Sequence, residues 1–252
     1  MRIIPLEILK TSNYSYIIIC DNTHEAAIVD PADPEVIFPY LEELEKNEKI
    51  HLSSIITTHH HYDHAGGNKR MCKKYSNIKV YGGSDSESVN HFLKDGEIFN
   101  VGEITIKSLH TPCHTRDSIC YFAENKGKRA VFTGDTLFNG GCGKFFEGIA
   151  DEMHTNLNKI LSSLPGDTKI YPGHEYTRSN IRFAKSIFNS DKLCEVSKFA
   201  DNNKITCGEF TIDDEKAYNP FMMVDSIEIQ KVTGESDPVR VMAKLRELKN
   251  KF

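Results

Sequence analysis

The 252-residue sequence contains no tryptophan, and its seven cysteines (20, 72, 113, 120, 142, 194 and 207) include no Cys-x-x-Cys pair. An odd count of scattered cysteines excludes a fully paired disulfide framework, and reduced thiols are expected. Long hydrophobic runs are missing too. The longest aliphatic stretch, Ile17-Ile18-Ile19, falls far short of the roughly 20 residues a spanning helix needs, so no membrane partner is expected. Met1-Arg2-Ile3-Ile4-Pro5 has neither the parts of a secretory signal nor the Arg/Ser-rich texture of a transit peptide, which makes the cytoplasm the expected compartment. Excess positive charge is lacking: 31 basic against 36 acidic residues give −5, which argues against a nucleic-acid partner. There is no Gly-x-Ser-x-Gly nucleophile elbow. Gly143-Lys144 lacks the upstream glycine and following Ser/Thr of a phosphate loop.

What remains is a globular profile, with 39% hydrophobic and 27% charged residues, long enough for a real core. Histidine stands out. There are 11, and four of them fall between positions 59 and 64.

The first 60 residues alternate strand and helix signals. Ile3 to Leu9, Tyr14 to Cys20 and Ala26 to Val29 read as strands. Pro34 opens a helical pattern through Lys46, and Leu52 to Thr57 is a buried-strand candidate. Residues 78–133 are mainly β, a helix is expected over Glu152 to Leu164, and Lys169 to Tyr171 is the last strand. Helical patterns then dominate 175–202 and 239–250, with Asp237-Pro238 as cap and first turn of the final helix. This places a boundary near residue 175, between an α/β part, 1–174, and a helical part, 175–252.

Residues 58–67 read Thr-His-His-His-Tyr-Asp-His-Ala-Gly-Gly. His59 and His61 are two apart, so an extended loop puts both on one side. Asp63 and His64 are adjacent and diverge, as a second ion would require. A loop leaving a strand for a helix at Ala65-Gly66-Gly67 is where α/β folds place ligands. Imidazole and carboxylate donors without thiolate favour Zn, Fe or Mn. A histidine-rich surface loop is the plain alternative. It is weakened by three further segments that each follow an apolar run and carry a ligand-type residue: Thr111-Pro112-Cys113-His114-Thr115, Thr133-Gly134-Asp135-Thr136 and Tyr171-Pro172-Gly173-His174-Glu175.

The series His-x-His-x-Asp-His, then His114, Asp135 and His174, resembles the metallo-β-lactamase superfamily. THHHYDHAGGN, TPCHT, FTGDTLF, GCGKFFEG, ADEM and YPGHEYT together resemble glyoxalase II, the hydroxyacylglutathione hydrolases, over nearly the whole chain. The resemblance implies an α/β, four-layer αββα sandwich over 1–174 and a small α-helical glutathione-binding domain over 175–252. It also implies two divalent metal ions, with Zn2+ expected and Fe or Mn acceptable. His59, His61 and His114 would hold one ion; Asp63, His64 and His174 would hold the other; Asp135 would bridge them. Asp63 and Asp135 also count as catalytic residues. His60 matches no family ligand, and His24, His51, His91, His110 and His154 have no motif context.

Such a pair of ions shares a water whose lowered pKa makes hydroxide available for attack on a thioester carbonyl, so no protein nucleophile is needed. Cys113 beside His114 invites a Cys–His reading, but a metal-committed histidine leaves that thiol to packing. For the substrate, the resemblance points to Lys144 and Tyr176 and to the tail pair Arg246 and Lys249. The last two are three apart and share a helical face, with Val239, Met242, Leu245 and Leu248 as the docking stripe. Phe146 replaces the tyrosine many members carry, which removes one hydroxyl hydrogen bond.

The expected reaction is cleavage of S-D-lactoylglutathione to D-lactate and glutathione, by a cytoplasmic monomer. The alternatives are a mononuclear-iron persulfide dioxygenase, against which the Arg-x-x-Lys tail weighs, and a non-catalytic metal- or glutathione-binding module. A nuclease on the same fold is disfavoured by the acidic balance.

Overall fold

The computed structural model describes residues 1–9 and 12–252. The chain divides into two compact units, Met1–His110 with Asp117–Gly134, and Thr111–Arg116 with Asp135–Phe252.

The first unit begins with β1 (Arg2–Ile8), β2 (Asn13–Ile19) and β3 (Glu25–Val29), followed by α1 (Pro34–Glu48) and β4 (His51–Ile56). Next come α2 (Tyr62–Ala65), α3 (Asn68–Lys74), β5 (Lys79–Gly82) and β6 (His91–Phe92). The unit closes with β7 (Ile98–Val101), β8 (Ile104–His110), β9 (Ile119–Asn125) and β10 (Lys128–Gly134). One sheet has the order β1-β2-β3-β4-β5-β6. It is antiparallel through β3 and parallel from β3 to β6. The strands β10, β9, β8 and β7 are antiparallel neighbours in that order.

Burial follows from the pattern. Every residue of β2 is buried, because alternate side chains meet different layers. Ile17 and Ile19 pack with Ile37 and Leu41 of α1 and with Ile28, Ile55 and Val80. On the other face Tyr16 meets Phe132 of β10 with ring centroids 5.5 Å apart. Tyr81 stacks on Phe99 at 4.0 Å, and Tyr121 Oη donates to the Thr57 carbonyl at 2.7 Å. These contacts lock the two sets of strands face to face.

The strand ends matter most. Val29 of β3 pairs with Ile56 of parallel β4, so Asp30 and Thr57-Thr58 leave the same edge side by side. Such carboxyl-terminal edges are where open α/β sheets bind ligands. The expectation of a loop reaching to Ala65 is corrected here, because Tyr62–Ala65 already forms a helical turn. The His61 carbonyl accepts from the N–H groups of His64 and Ala65, each at 2.9 Å.

The second unit holds β11 (Leu137–Phe138), β12 (Gly141–Cys142), α4 (Ala150–Thr155) and β13 (Lys169–Pro172). Five helices complete it: α5 (Thr177–Ile187), α6 (Asp191–Asn202), α7 (Ile212–Tyr218), α8 (Ile227–Thr233) and α9 (Pro238–Lys251). The helix expected over Glu152 to Leu164 starts as α4 but passes into a π turn, Asn156–Ile160, and a short 3-10 turn, Leu161–Ser163. In α9, Asp237 caps the first turn by accepting from the Arg240 N–H at 3.0 Å. Its buried face is Val241, Met242, Leu245 and Arg246, turned from the expected stripe because the Arg246 guanidinium finds the Cys142 carbonyl at 2.9 Å. Among the described residues, no helix is long and apolar enough to cross a membrane. All seven cysteines are free thiols.

Gly134 ends β10 at φ +45, and a Cβ there would lie 2.5 Å from Thr58 Oγ1. Gly134→Ala therefore meets both left-handed strain and a clash, and it is expected to lower unfolding free energy by about 1–3 kcal/mol. An unchanged urea midpoint would contradict this.

Candidate active site

The first unit contributes His59, His61, Asp63 and His64, all emerging just after β4. His59 and His64 rings lie 4.2 Å apart, and His59 Nε2 is 3.1 Å from His61 Nδ1. Beneath them sits Asp30, buried and at φ +47, a conformation aspartate tolerates better than most residues. Its Oδ1 accepts from the Thr58 N–H at 2.8 Å, and its Oδ2 accepts from Thr58 Oγ1 at 2.7 Å and His64 Nδ1 at 2.9 Å. Because the Thr58 hydroxyl proton is committed to Asp30, its oxygen accepts from His59 Nδ1 at 3.0 Å. Both imidazoles thus carry their proton on Nδ1 and leave Nε2 unprotonated. Asn13 Nδ2 donates to Asp63 Oδ2 at 3.0 Å and to its carbonyl at 3.1 Å. His60 is accounted for as well: its N–H and Nδ1 are held by Asp117 Oδ1 at 3.3 and 2.8 Å, and Ser86 Oγ donates to Asp117 Oδ2 at 2.9 Å.

The second unit contributes His114, Asp135 and His174. His114 Nδ1 donates to the Lys144 carbonyl at 2.9 Å, again leaving Nε2 as the unprotonated nitrogen. That Nε2 lies 3.4 Å from Asp135 Oδ2, and His174 Nε2 lies 3.3 Å from Asp135 Oδ1. One carboxylate therefore faces an imidazole on each oxygen. Gly143 permits the close packing here, since a Cβ would sit 2.0 Å from the Asp135 carbonyl oxygen and 3.0 Å from His114 Nδ1.

The donors in each unit are imidazole nitrogen and carboxylate oxygen, the set that suits Zn, Fe or Mn. The spacing fits too. With metal–nitrogen bonds of about 2.0–2.1 Å, two donors on one tetrahedral ion lie about 3.3 Å apart. The separations of 3.1, 3.3 and 3.4 Å match that edge, so these residues are able to hold divalent ions.

Beside His114 and Asp135 the second unit opens a cavity of about 370 Å³. Its wall brings together Lys144, Phe146, Tyr176, Arg246 and Lys249, with Asp135 the one acidic residue among the described residues that line it. Tyr176 stacks on the His174 ring at 4.6 Å, and Phe146 leans on His114 at 5.2 Å. Burial, reinforced by neighbouring Arg246, pulls the Lys249 ammonium down to about 8; Asn180 Oδ1 accepts from it. Burial pushes the Cys113 thiol up to about 12 and Cys142 up to about 11. Cys113 donates to the Ile149 carbonyl at 3.4 Å, so it is a packed thiol and supplies no thiolate nucleophile.

Several supporting residues carried no motif. Asp30 closes an apolar run and was readable at most as a strand-end carboxylate. Glu215 and Asn219 lie on or just after α7, some 70 residues beyond the loop they hold. Glu215 is fully buried and accepts from the Tyr218 hydroxyl, from the Gly140 N–H at 2.9 Å and from Asn219 Nδ2 at 2.8 Å. Asn219 Nδ2 also donates to the Gly141 carbonyl at 3.1 Å. This pins the β11–β12 turn, and with it the start of Gly143-Lys144.

The residues 10–174 match the family described as the Metallo-beta-lactamase superfamily, and 175–252 match that described as Hydroxyacylglutathione hydrolase C-terminus. A probable hydroxyacylglutathione hydrolase of Schizosaccharomyces pombe is 50% identical over 98% of this chain and 96% of its own length. This chain belongs to the hydroxyacylglutathione hydrolase family. The cytoplasmic isozyme of Saccharomyces cerevisiae is 38% identical over 95% of this chain and 94% of its own. The crystal structure of ETHE1 from Myxococcus xanthus superposes with a TM-score of 0.71 at 25% identity, covering 98% of this chain and 91% of that one. The fold is accordingly the metallo-β-lactamase fold with a helical C-terminal part, as the motifs implied. Membership in the hydroxyacylglutathione hydrolase family makes the chain a hydrolase, and the superfamily and the His/Asp donors support divalent-metal binding.

Burial, against the pull of its hydrogen-bond donors, raises the Glu215 carboxyl to about 8 from an ordinary 4.5. The folded chain therefore holds a proton that the unfolded chain releases. The stability this confers is full below about 4.5 and is lost as pH rises through about 8. Glu215→Gln is expected to flatten that part of the profile in urea unfolding at pH 5, 7 and 8.5. Parallel profiles for variant and parent would contradict it.

Proposed function

We propose that this chain hydrolyses S-D-lactoylglutathione and related 2-hydroxyacyl-glutathiones to the 2-hydroxy acid and glutathione, the second step of methylglyoxal detoxification. The observation carrying this reading is a His–Asp–His donor set opening onto a cavity walled by Lys144, Arg246 and Lys249. A thioester carried by a peptide with two carboxylates matches both halves of that description.

In this proposal His59, His61 and His114 hold one divalent ion, Asp63, His64 and His174 hold a second, and Asp135 joins them. Zinc suits these donors best, and iron or manganese would also be accepted. Two such ions supply a water ionised near neutral pH and a Lewis acid for the carbonyl oxygen. The chain's own residues do the rest. Thr58, Asp30 and the Lys144 carbonyl fix the imidazole tautomers. Asp63 and Asp135, the carboxylates of the centre, are the groups able to take the proton that hydrolysis releases. Lys144, Arg246 and Lys249 neutralise the carrier's carboxylates, and Phe146 and Tyr176 flank its body. Residues 1–174 act as the catalytic domain and 175–252 as the glutathione-binding domain of a cytoplasmic monomer.

The direct test is thioester loss with release of one thiol per turnover from S-D-lactoylglutathione; an intact thioester would overturn the reading. Asp135→Ala is expected to lose metal and activity together, the latter by more than about a hundredfold. Retention of two ions in that variant would contradict the bridging role. Phe146→Tyr restores a ligand-side hydrogen bond of about 0.5–1.5 kcal/mol and is expected to lower KM by roughly two- to tenfold, while an unchanged KM would refute this.

A further inference from the structure

A second cavity in the same unit, of about 540 Å³, is lined by Lys144, Ser179, Arg182, Arg246, Lys249 and Phe252. Lys144, Ser179, Arg246 and Lys249 line the first cavity as well, so the two adjoin, whereas Arg182 and Phe252 belong to the outer one alone. Among the described residues, four of the six side chains lining it are cationic and none is acidic. In a chain of net charge −5 that is a concentrated local excess. Arg70, Arg116 and Arg129 each pair with a carboxylate, of Glu35, Glu152 and Glu124 respectively, and Arg178 is held by the Ala200 carbonyl. Arg182, exposed on α5 one turn after Ser179, pairs with no acidic side chain among the described residues. Gathered like charges without a counter-ion repel, and an anionic ligand relieves that repulsion.

We propose that Arg182 forms an outer carboxylate subsite that selects the thiol carrier. This rests on the thioesterase reading above. In a γ-glutamyl-cysteinyl-glycine thioester the glycyl carboxylate lies nearer the sulfur and the γ-glutamyl α-carboxylate farther along the peptide. Arg246 and Lys249, common to both cavities, take the nearer carboxylate. Arg182, confined to the outer cavity, takes the farther one. The γ-glutamyl ammonium meets no acidic lining residue and stays in solvent, so recognition at this end is of the carboxylate alone.

The test compares the metal-loaded parent and Arg182→Gln on three thioesters: S-D-lactoylglutathione, its glycyl ethyl ester, and an analogue with 4-aminobutyryl in place of γ-glutamyl. The variant is expected to raise KM about two- to fivefold on the first two, the range of a solvent-exposed ion pair, with kcat unchanged and the effect shrinking at high salt. On the third substrate no difference is expected. Equal KM values on S-D-lactoylglutathione, or the same loss on the 4-aminobutyryl analogue, would overturn the assignment. Calorimetric binding of S-methylglutathione separates the two readings. If the parent hydrolyses no thioester yet binds S-methylglutathione more tightly than Arg182→Gln, the hydrolase reading fails and the subsite stands; equal binding overturns the subsite.

Discussion

An imidazole can offer a metal one nitrogen only when something else claims the proton on the other, and the rest of this structure is organised around that constraint. Asp30 meets it for the first unit. Its carboxylate takes the Nδ1 proton of His64 directly and that of His59 through the Thr58 hydroxyl. In the second unit a backbone carbonyl, that of Lys144, does the same for His114. The Asp30 arrangement is buried, which strengthens its hydrogen bonds and makes their loss costly. The sheet order then has a clear consequence. Parallel pairing of β3 with β4 sets Asp30 beside Thr58, and Gly134 leaves room for that threonine where any side chain would collide.

The second unit couples the metal donors to charge recognition by the same economy of parts. The Gly140–Lys144 segment is fixed from below by Glu215 and Asn219 and from the side by Arg246. One end of it orients His114, and Lys144 itself faces the cavity. A cavity-lining cation and the carbonyl that orients His114 thus share a single short stretch of backbone. The half-buried Lys249, its ammonium pulled down to about 8, and the buried Arg246 show that this positive corner is held at an electrostatic cost, which an anionic ligand offsets. The chain's overall acidity says nothing of this corner, because recognition depends on where the cations gather and not on their sum.

Much of this was legible in the sequence, for physical reasons that differ by element. The strands of the first unit are continuous apolar or alternating runs bounded by turn residues, so Tyr14 to Cys20 and Ala26 to Val29 fell within a residue of β2 and β3. The imidazole and carboxylate groups proposed as donors were readable because they sit at strand ends beside Gly, Pro and Thr. Other features depend on tertiary contacts that no local pattern encodes. Asp30 and Glu215 act on residues far away in sequence. The buried face of α9 turned toward Val241 and Arg246 because a carbonyl of β12 was there to accept from the guanidinium. The apolar spacing after Glu152 fitted a helix, and it gave no sign of the π turn at Asn156–Ile160. Arg182 has no motif; only the lining of the outer cavity singles it out.

We propose that the two donor sets hold one pair of ions that carries out the hydrolysis. Titrating the metal-stripped chain with Zn2+, while following both bound metal and S-D-lactoylglutathione hydrolysis, tests it most directly. Saturation is expected at about two ions per chain, with activity rising as the ions bind and no oxygen consumed. Saturation at a single ion, or an oxygen-consuming reaction supported by one iron per chain, would contradict it.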